Sequence, residues 1–593
     1  MTRTPLRPLA RVLDARARGE NPDAIERENL RLRHEDMRDR DRQRAEGRLL
    51  VVGVFFFCAF MLVGARMGTL ASSEVEEPRA AAGGASIIAQ RADITDRNGR
   101  ILATNLTTHS LYAQPPIMID KERAARKLAL IFPDLDETKL LEQFTGKRKF
   151  LWIKRKLSPE QKQAVHDIGD PGLLFGPREM RLYPNGKLAS HVLGGASFGR
   201  EGVHSAEVIG IAGVERAFDA FLRNPENGGR PLRLSLDLSV QSVVEQVLDG
   251  GMKLLNAKGA AAILMDAHTG EIISLASLPD FDPNDRQPPP AAGNPADSPL
   301  FNRAVQGVYE LGSTFKIFTV AQAIETGMVN AATIIDTKGP LRWGRFRIRD
   351  FRNYGPELSV EDVIVKSSNI GTARIAQMIG IERQQEFLKS LGFFDATPVE
   401  LVEAPGARPL LPPKWSEISM MTISYGHGLS ASPLHLATGY ASLLNGGVKV
   451  TPTLVKREGV EMGDPVVSPR TSTIARDMLR KAVTDGTATF GDVHGYAVAG
   501  KTGTADKPNP QGGYYDDKVI ATFASVFPAD DPKYVLVVTL DEPVETSGEE
   551  PRRTAGWTAV PVAAEVIRRV APLMGLAPSI EQGSLVGVSL TAN

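Results

Sequence analysis

Ser313 and Lys316 stand one helical turn apart in the run Ser313-Thr314-Phe315-Lys316. Gly312 precedes the serine, and the apolar residues Phe315, Phe318, Val320, Ala321 and Ile324 recur at helical spacing before Gly327, so the pair falls at the start of a predicted helix. Residues three apart share a helix face, which puts the Lys316 amine within reach of the Ser313 hydroxyl. A serine hydroxyl is a weak nucleophile at its own pKa; a lysine held neutral by burial and nearby cations can take its proton. The helix N-terminus favours the negative charge that then develops. By itself the spacing S-x-x-K arises by chance roughly once or twice in a chain of this size, and a capping serine followed by a solvated lysine would explain it.

Two further groups argue against chance. Ser359-Val360-Glu361-Asp362 reads as a capping box opening a short helix that ends near Lys366, which leaves Ser367-Ser368-Asn369 on the connection into a second helix running to about Gly380. A turn between helices can project polar side chains into a cleft. Farther on, Lys501-Thr502-Gly503-Thr504 falls on the first of three predicted antiparallel strands, the others being Val519–Phe527 and Tyr534–Leu540. Gly503 would allow close backbone approach by a substrate that a bulkier residue would block. S-x-x-K, S-x-N and K-T-G in this order are the motif set of penicillin-binding proteins and serine β-lactamases.

The rest of the chain must hold these groups in place. Its 593 residues suffice for several domains, and a composition 42% hydrophobic and 24% charged is that of a globular protein with material for a core. A formal net charge of zero gives no reason to expect a nucleic-acid partner. The single cysteine, Cys58, sits in the most apolar stretch, which leaves no disulfide framework and no thiolate site. Histidine spacing and glycine patterns show no zinc-protease, Walker or dinucleotide signature, so neither a metal nor a cofactor is expected. Residues 1–48 form an Arg-rich tail with interleaved acids, which reads as solvated or weakly helical. Residues 49–70 form an apolar anchor whose arginine-rich flank stays in the cytoplasm, with Glu74, Glu76 and Glu77 on the far side. A cleaved signal ending at Thr69-Leu70-Ala71 is the rival, disfavoured by the long tail before it. Residues 71–90 form a linker, small-residue-rich at Ala80–Ala85; residues 91–230 mix short helices and strands without any of the three motifs; residues 231–593 carry all of them. The fold class expected is mixed α+β, with an antiparallel sheet flanked by helices in the last region and a helix near Val560–Met574 packed on it.

The resemblance extends beyond the motifs. Arg91-Ala92-Asp93-Ile94-Thr95-Asp96-Arg97-Asn98-Gly99, Arg181-Leu182-Tyr183-Pro184, His191-Val192-Leu193-Gly194, Gly210–Glu215, Asp266–Ile272 and Ser424-Tyr425-Gly426 are similar to segments of class B penicillin-binding proteins, the peptidoglycan D,D-transpeptidases. This resemblance implies that residues 91–230 are the family's dimerisation or pedestal domain, with Asp96, Arg97, Arg181 and Glu215 in structural hydrogen bonds and ion pairs. It implies a stem peptide ending in D-Ala-D-Ala as substrate, Ser313 as nucleophile, Lys316 as base and Ser367 as proton relay. Asn369 would hold Lys316 and the substrate amide, Lys501 would supply positive charge, and Thr502 and Thr504, flanking Gly503, would bind the terminal carboxylate. Backbone N–H groups of Ser313 and Thr504 would form the oxyanion hole. Asn369, flanked by Val365-Lys366 and Ile370-Gly371, resembles the division-specific FtsI type rather than the elongation type, which tends to carry aspartate there. Leu311 departs from the family's usual proline, and the cytoplasmic tail is longer than usual. The expected partners are β-lactams, an FtsW-type glycan polymerase, small bitopic division proteins and the inner membrane, with the catalytic domain periplasmic and placed at the septum. A β-lactam sensor, a β-lactamase-like protein and an inactive divisome scaffold are the alternatives.

Overall fold

The computed structural model describes residues 13–72, 91–201, 206–459, 463–509 and 511–579; after a helical turn at residues 13–17 comes a continuous 51-residue helix, α1 (Pro22–Ser72). The expected linker at Ala80–Ala85 lies outside the described residues. The Arg-rich tail, expected to be solvated or weakly helical, is thus continuously helical from Pro22. Pro at the first helical position suits a helix start, and Arg31–Glu28 and Arg42–Glu46 pairs at 2.8 and 2.9 Å give it the i,i+3 and i,i+4 support that alternating charges supply. Within α1, Glu46–Met67 is long and apolar enough to cross a bilayer: 22 residues rise about 33 Å, close to a hydrocarbon core. Residues Met1–Ala82 and Gly83–Asn593 are separate compact units.

The second unit begins with a five-stranded sheet. Strand β2 (Ile101–Ala113) is its spine, pairing with β1 (Ile94–Thr95) at one end, with β3 (Leu151–Leu157) at the other and with β4 (Leu173–Leu182) along most of its length. Helices α2 (Lys121–Ile131), α3 (Glu137–Thr145) and α4 (Pro159–His166) bury Leu128, Phe144 and Val165 against Leu111, Leu151 and Leu157 to make a separate small core. The hairpin of β5 (Gly195–Glu201) and β6 (Ala206–Ala212) completes this region. Its expected structural residues behave as such. Glu215, fully buried, accepts from Arg91 at 2.7 Å and Arg181 at 2.6 Å. The Asp96 carboxylate receives the backbone N–H groups of Asn98, Arg100 and Leu238, and Arg97 pairs with Glu271 at 2.9 Å.

The region is more than a spacer. β1 pairs in parallel with β7 (Leu232–Arg233), and Ile94, Leu102, Val192 and Val214 belong to the same hydrophobic cluster as Ile263, Met265 and Phe315 of the motif-bearing part. A boundary at residue 231 therefore runs through a shared core.

The remaining residues build the second sheet, in the order β14 (Ala499–Pro508), β15 (Tyr514–Phe527), β16 (Tyr534–Asp541), β8 (Gly259–Asp266), β9 (Ile272–Leu278), antiparallel throughout. Alternation divides it between two cores. Ala262, Leu264, Leu536 and Val538 face α5 (Leu238–Leu254) and the C-terminal α11 (Ala559–Leu573). Ile263, Met265, Val535 and Val537 face the cluster of α6 (Lys316–Glu325) and α9 (Pro433–Leu444). Between α6 and α9 the chain forms two small ribbons, β10 (Ile334–Asp336) with β13 (Glu357–Ser359) and β11 (Leu341–Trp343) with β12 (Phe346–Ile348). It then forms α7 (Val360–Val365) and α8 (Asn369–Ile379). Helix α10 (Pro469–Thr484) leads into the loop before β14.

Candidate active site

Ser313 lies in a 3₁₀ turn, Gly312–Phe315, that runs directly into α6. Three backbone segments meet there because three positions lack side chains. Gly312 has φ +57°, and a Cβ on it would lie 2.8 Å from the Thr504 carbonyl oxygen; a Cβ on Gly426, φ +89°, would lie 1.9 Å from the Gly312 oxygen. A Cβ on Gly503 would lie 2.2 Å from the Leu311 oxygen. The close approach expected of a substrate at Gly503 is thus made by the chain itself, which seats the nucleophile turn on β14. Phe315, Phe318, Phe393 and Tyr440 pack edge-to-face or tilted, with ring centroids 4.9–5.6 Å apart, beneath the turn, and the Tyr440 hydroxyl donates to the Thr314 carbonyl at 2.9 Å.

Ser367 collects the two motif lysines. It follows α7, whose N-cap Ser359 accepts the Asp362 N–H at 3.0 Å. Its own φ is +62°, a conformation that costs a side-chain-bearing residue roughly 1–2 kcal/mol and which the α7 and α8 ends enforce. In that pose its carbonyl and its hydroxyl both accept from Lys316 Nζ, the hydroxyl at 3.0 Å, while Lys501 Nζ donates to the same hydroxyl at 2.9 Å and to the Thr502 carbonyl at 3.2 Å. With both lone pairs occupied, the Ser367 proton is free to be donated elsewhere. Ser313, by contrast, has no side-chain hydrogen bond among the described residues, and Lys316 turns to Ser367 rather than to it.

Both lysines are fully buried. Burial, and then the Lys501 charge, push the Lys316 amine well below its ordinary range, with Asp350 opposing. Burial takes Lys501 down to about 7.

Asn369 departs from expectation: its side-chain amide donates to the Arg349 carbonyl at 3.0 Å, with no hydrogen bond to Lys316. The reason is that Asn369 is the first residue of α8, and its orientation is fixed by Asp350, a residue that sequence reasoning misses. The Asp350 carboxylate accepts from Ser368 Oγ at 2.7 Å, from Asn369 N at 2.6 Å and from Ile370 N at 3.0 Å, so it caps α8 from 18 to 20 residues upstream. Capping patterns are read at spacings of two or three, and no local signal marks this one. Glu310 is a second such residue; it accepts the Gly428 N–H at 2.6 Å and the Tyr514 hydroxyl at 3.1 Å, tying the residue before Leu311-Gly312 to β15.

On β14, the Thr502 hydroxyl pairs with that of Thr487 at 2.7 Å, and the Thr504 hydroxyl accepts from Ala555 N at 3.0 Å, leaving its own proton to give. β14 is an edge strand of the sheet, so alternate N–H groups face the cleft rather than β15. A Cβ on Gly312 would also lie 3.1 Å from the Thr504 nitrogen, so the Thr504 amide stands beside the nucleophile turn.

The sequence matches the family description "Penicillin binding protein transpeptidase domain" over residues 260–567 and "Penicillin-binding Protein dimerisation domain" over 86–235. It is 36% identical over 542 residues to the probable peptidoglycan D,D-transpeptidase FtsI of Caulobacter vibrioides, covering 89% of this chain and 88% of that one. It is 28% identical over 521 residues to the peptidoglycan D,D-transpeptidase FtsI of Escherichia coli, covering 82% and 84%. The crystal structure of penicillin-binding protein 3 from Mycobacterium tuberculosis complexed with aztreonam superposes with a TM-score of 0.63 at 26% identity, over 83% of this chain and 97% of that one. A serine, two buried lysines and a glycine-seated edge strand, on a fold and sequence so matched, place this chain in the class B penicillin-binding proteins, as a peptidoglycan D,D-transpeptidase of the FtsI type.

Proposed function

We propose that the chain cross-links septal peptidoglycan during cell division through an acyl-enzyme on Ser313, and that β-lactams inhibit it by acylating the same serine. The observation that carries the chemistry is the Ser367 hydroxyl held between two buried lysine amines. Neutral Lys316 takes the Ser313 proton as Oγ adds to the penultimate D-Ala carbonyl carbon. The resulting oxyanion lies between the N–H groups of Ser313 and Thr504, a kind of donor worth roughly 3 to 4 kcal/mol each in other enzymes. Ser367 gives its proton to the leaving D-Ala nitrogen and is reprotonated from the lysine pair. Lys501, with the Thr502 and Thr504 hydroxyls, receives the terminal carboxylate. The acceptor amine then repeats the sequence in reverse on the ester.

The alignment with FtsI-named relatives supports the septal role over the elongation role. The apolar span at Glu46–Met67 supports an inner-membrane anchor, with the arginine-rich end cytoplasmic and the catalytic domain periplasmic. An FtsW-type polymerase and small bitopic division proteins are the partners this placement implies. Intact-mass spectrometry after penicillin treatment tests the chemistry: one adduct on Ser313, absent from Ser313→Ala, is expected, and an adduct on another serine would overturn it. Depletion in living cells tests the placement: filaments with blocked septa are expected, whereas rounded cells would assign the chain to the lateral wall.

A further inference from the structure

The acyl-enzyme must be resolved by a second peptide, and that peptide needs a binding surface of its own. Beside the Ser367–Asn369 turn lies a strongly cationic stretch of the second unit. Residues 337–356 carry Lys338, Arg342, Arg345, Arg347, Arg349 and Arg352 against Asp350 at their centre, in a chain whose formal net charge is zero. That carboxylate is already committed to the N-terminus of α8. The five arginines are exposed and have no ion-pair partner among the described residues. Arg342 and Arg347 stand directly opposite each other across β11 and β12, an arrangement that destabilises a ribbon unless an anion offsets it. Exposed aromatics accompany them: Arg345 lies over Phe346, and Arg352 over Phe351, which is 81% exposed.

A cleft of about 440 Å³ opens at this ribbon, lined by Lys338, Arg349, Asp350, Arg352 and Tyr354. It shares a wall with the catalytic turn, because the Arg349 carbonyl holds the Asn369 side chain and Asp350 holds the Asn369 N–H. We propose that this cleft and ribbon are the acceptor site, where a carboxylate-bearing stem peptide of a neighbouring strand docks with its amine directed at the Ser313 ester. The proposal rests on the transpeptidase reading above. The amine nitrogen adds to the ester carbonyl carbon, the bond from that carbon to Ser313 Oγ breaks, and an amide forms. The proton lost by the amine passes through Lys316 to the Ser313 oxygen.

The test uses the full-length protein in detergent, a thioester donor, and a synthetic diamino-acid pentapeptide acceptor in free-acid and C-terminally amidated forms. Lys338→Gln/Arg352→Gln is compared with wild type. Acylation by penicillin, which uses no acceptor, reports an intact donor site and is expected to stay within about twofold. The free-acid acceptor concentration giving half-maximal aminolysis is expected to rise about tenfold in the variant, and that of the amidated acceptor to change little. Restoring charge with Arg352→Lys alone should recover most of the loss. An unchanged acceptor dependence would overturn the proposal, as would a wild type indifferent to the acceptor's carboxylate. So would binding to phosphatidylglycerol vesicles that the variant loses while aminolysis is unchanged, since the patch would then serve the membrane. A wild type that penicillin does not acylate would instead sink the transpeptidase reading itself, and the acceptor site with it.

Discussion

Lys501 titrates in the middle of the physiological range, and the acylation rate should record it. Burial lowers its amine from 10.5 to about 7, a displacement equivalent to roughly 5 kcal/mol, and burial together with the Lys501 charge pushes Lys316 well below its ordinary range. The mechanism needs the two amines in opposite states, Lys316 neutral to accept a proton and Lys501 charged to hold a carboxylate. The second-order rate of penicillin acylation should therefore rise with pH as Lys316 loses its proton and fall above about pH 7 as Lys501 loses its own. Beyond that point the loss is tenfold per pH unit, so the rate at pH 8.5 should stand about 30-fold below the plateau. Quenched-flow labelling from pH 5 to 9.5 measures the profile. Lys501→Arg, whose guanidinium stays charged throughout, should carry the falling limb beyond pH 9, with thermal melts confirming that the variant folds. A wild-type rate flat from pH 6 to 9, or a falling limb that stays in place in a folded Lys501→Arg protein, would refute the assignment of that limb to Lys501.

The same residue should limit stability. Because its folded pKa lies below its unfolded value, the unfolded chain binds the extra proton between about pH 7 and 10.5, so the penalty is fullest at pH 7 and below and fades as pH rises to 10.5. Lys501→Met should raise the melting temperature at pH 7, by a margin that vanishes near pH 10.5, while abolishing acylation; equal melting curves at pH 7 would contradict this. Asp350→Ala removes the carboxylate that caps α8 and orients Ser368 and Asn369, and should cost about 1–2 kcal/mol in urea unfolding and at least tenfold in penicillin acylation. Gly426→Ala forces a Cβ to 1.9 Å from the Gly312 oxygen and should abolish penicillin labelling, with Gly446→Ala, where nothing lies within 4 Å, labelling far better. Glu215→Gln leaves Arg181 buried without its charge partner and Arg91 with Asp219 alone, and should destabilise the second unit by about 3–5 kcal/mol, read from the urea midpoint.

What is legible in the sequence is local. The hydroxyl–amine spacing at Ser313 and Lys316, the helix–turn–helix around Ser367 and the three strands from Ala499 onward each depend on neighbours a few residues apart, and the structure has them close to where the pattern places them. β15 starts five residues earlier than its apolar run, because its first residues, Tyr514 to Lys518, are half-buried or exposed and polar and so lack the strand signal. What cannot be read there depends on distant chain segments. Asp350 caps a helix that begins 19 residues later, Gly503 is required by the Leu311 backbone, and Asn369 answers to Arg349 rather than to Lys316. The charged tail reads as weakly helical because isolated mixed-charge segments gain little from propensity; here it continues into an apolar helix that bears the nucleation cost for both.

The core that runs from Ile94 and Val214 into Ile263 and Phe315 bears on how members of this family can recombine. Exchange between two relatives at residue 231, the edge that motif placement suggests, would set one parent's β1 against the other's β7 and mix two sets of interlocking side chains in one interior. Such hybrids should be purged unless both parents happen to share those residues. A crossover between residues 82 and 83 keeps each compact unit whole. Hybrids in which residues 1–82 have one ancestry and everything after them another should therefore be tolerated far more often than hybrids that divide the second unit at residue 231.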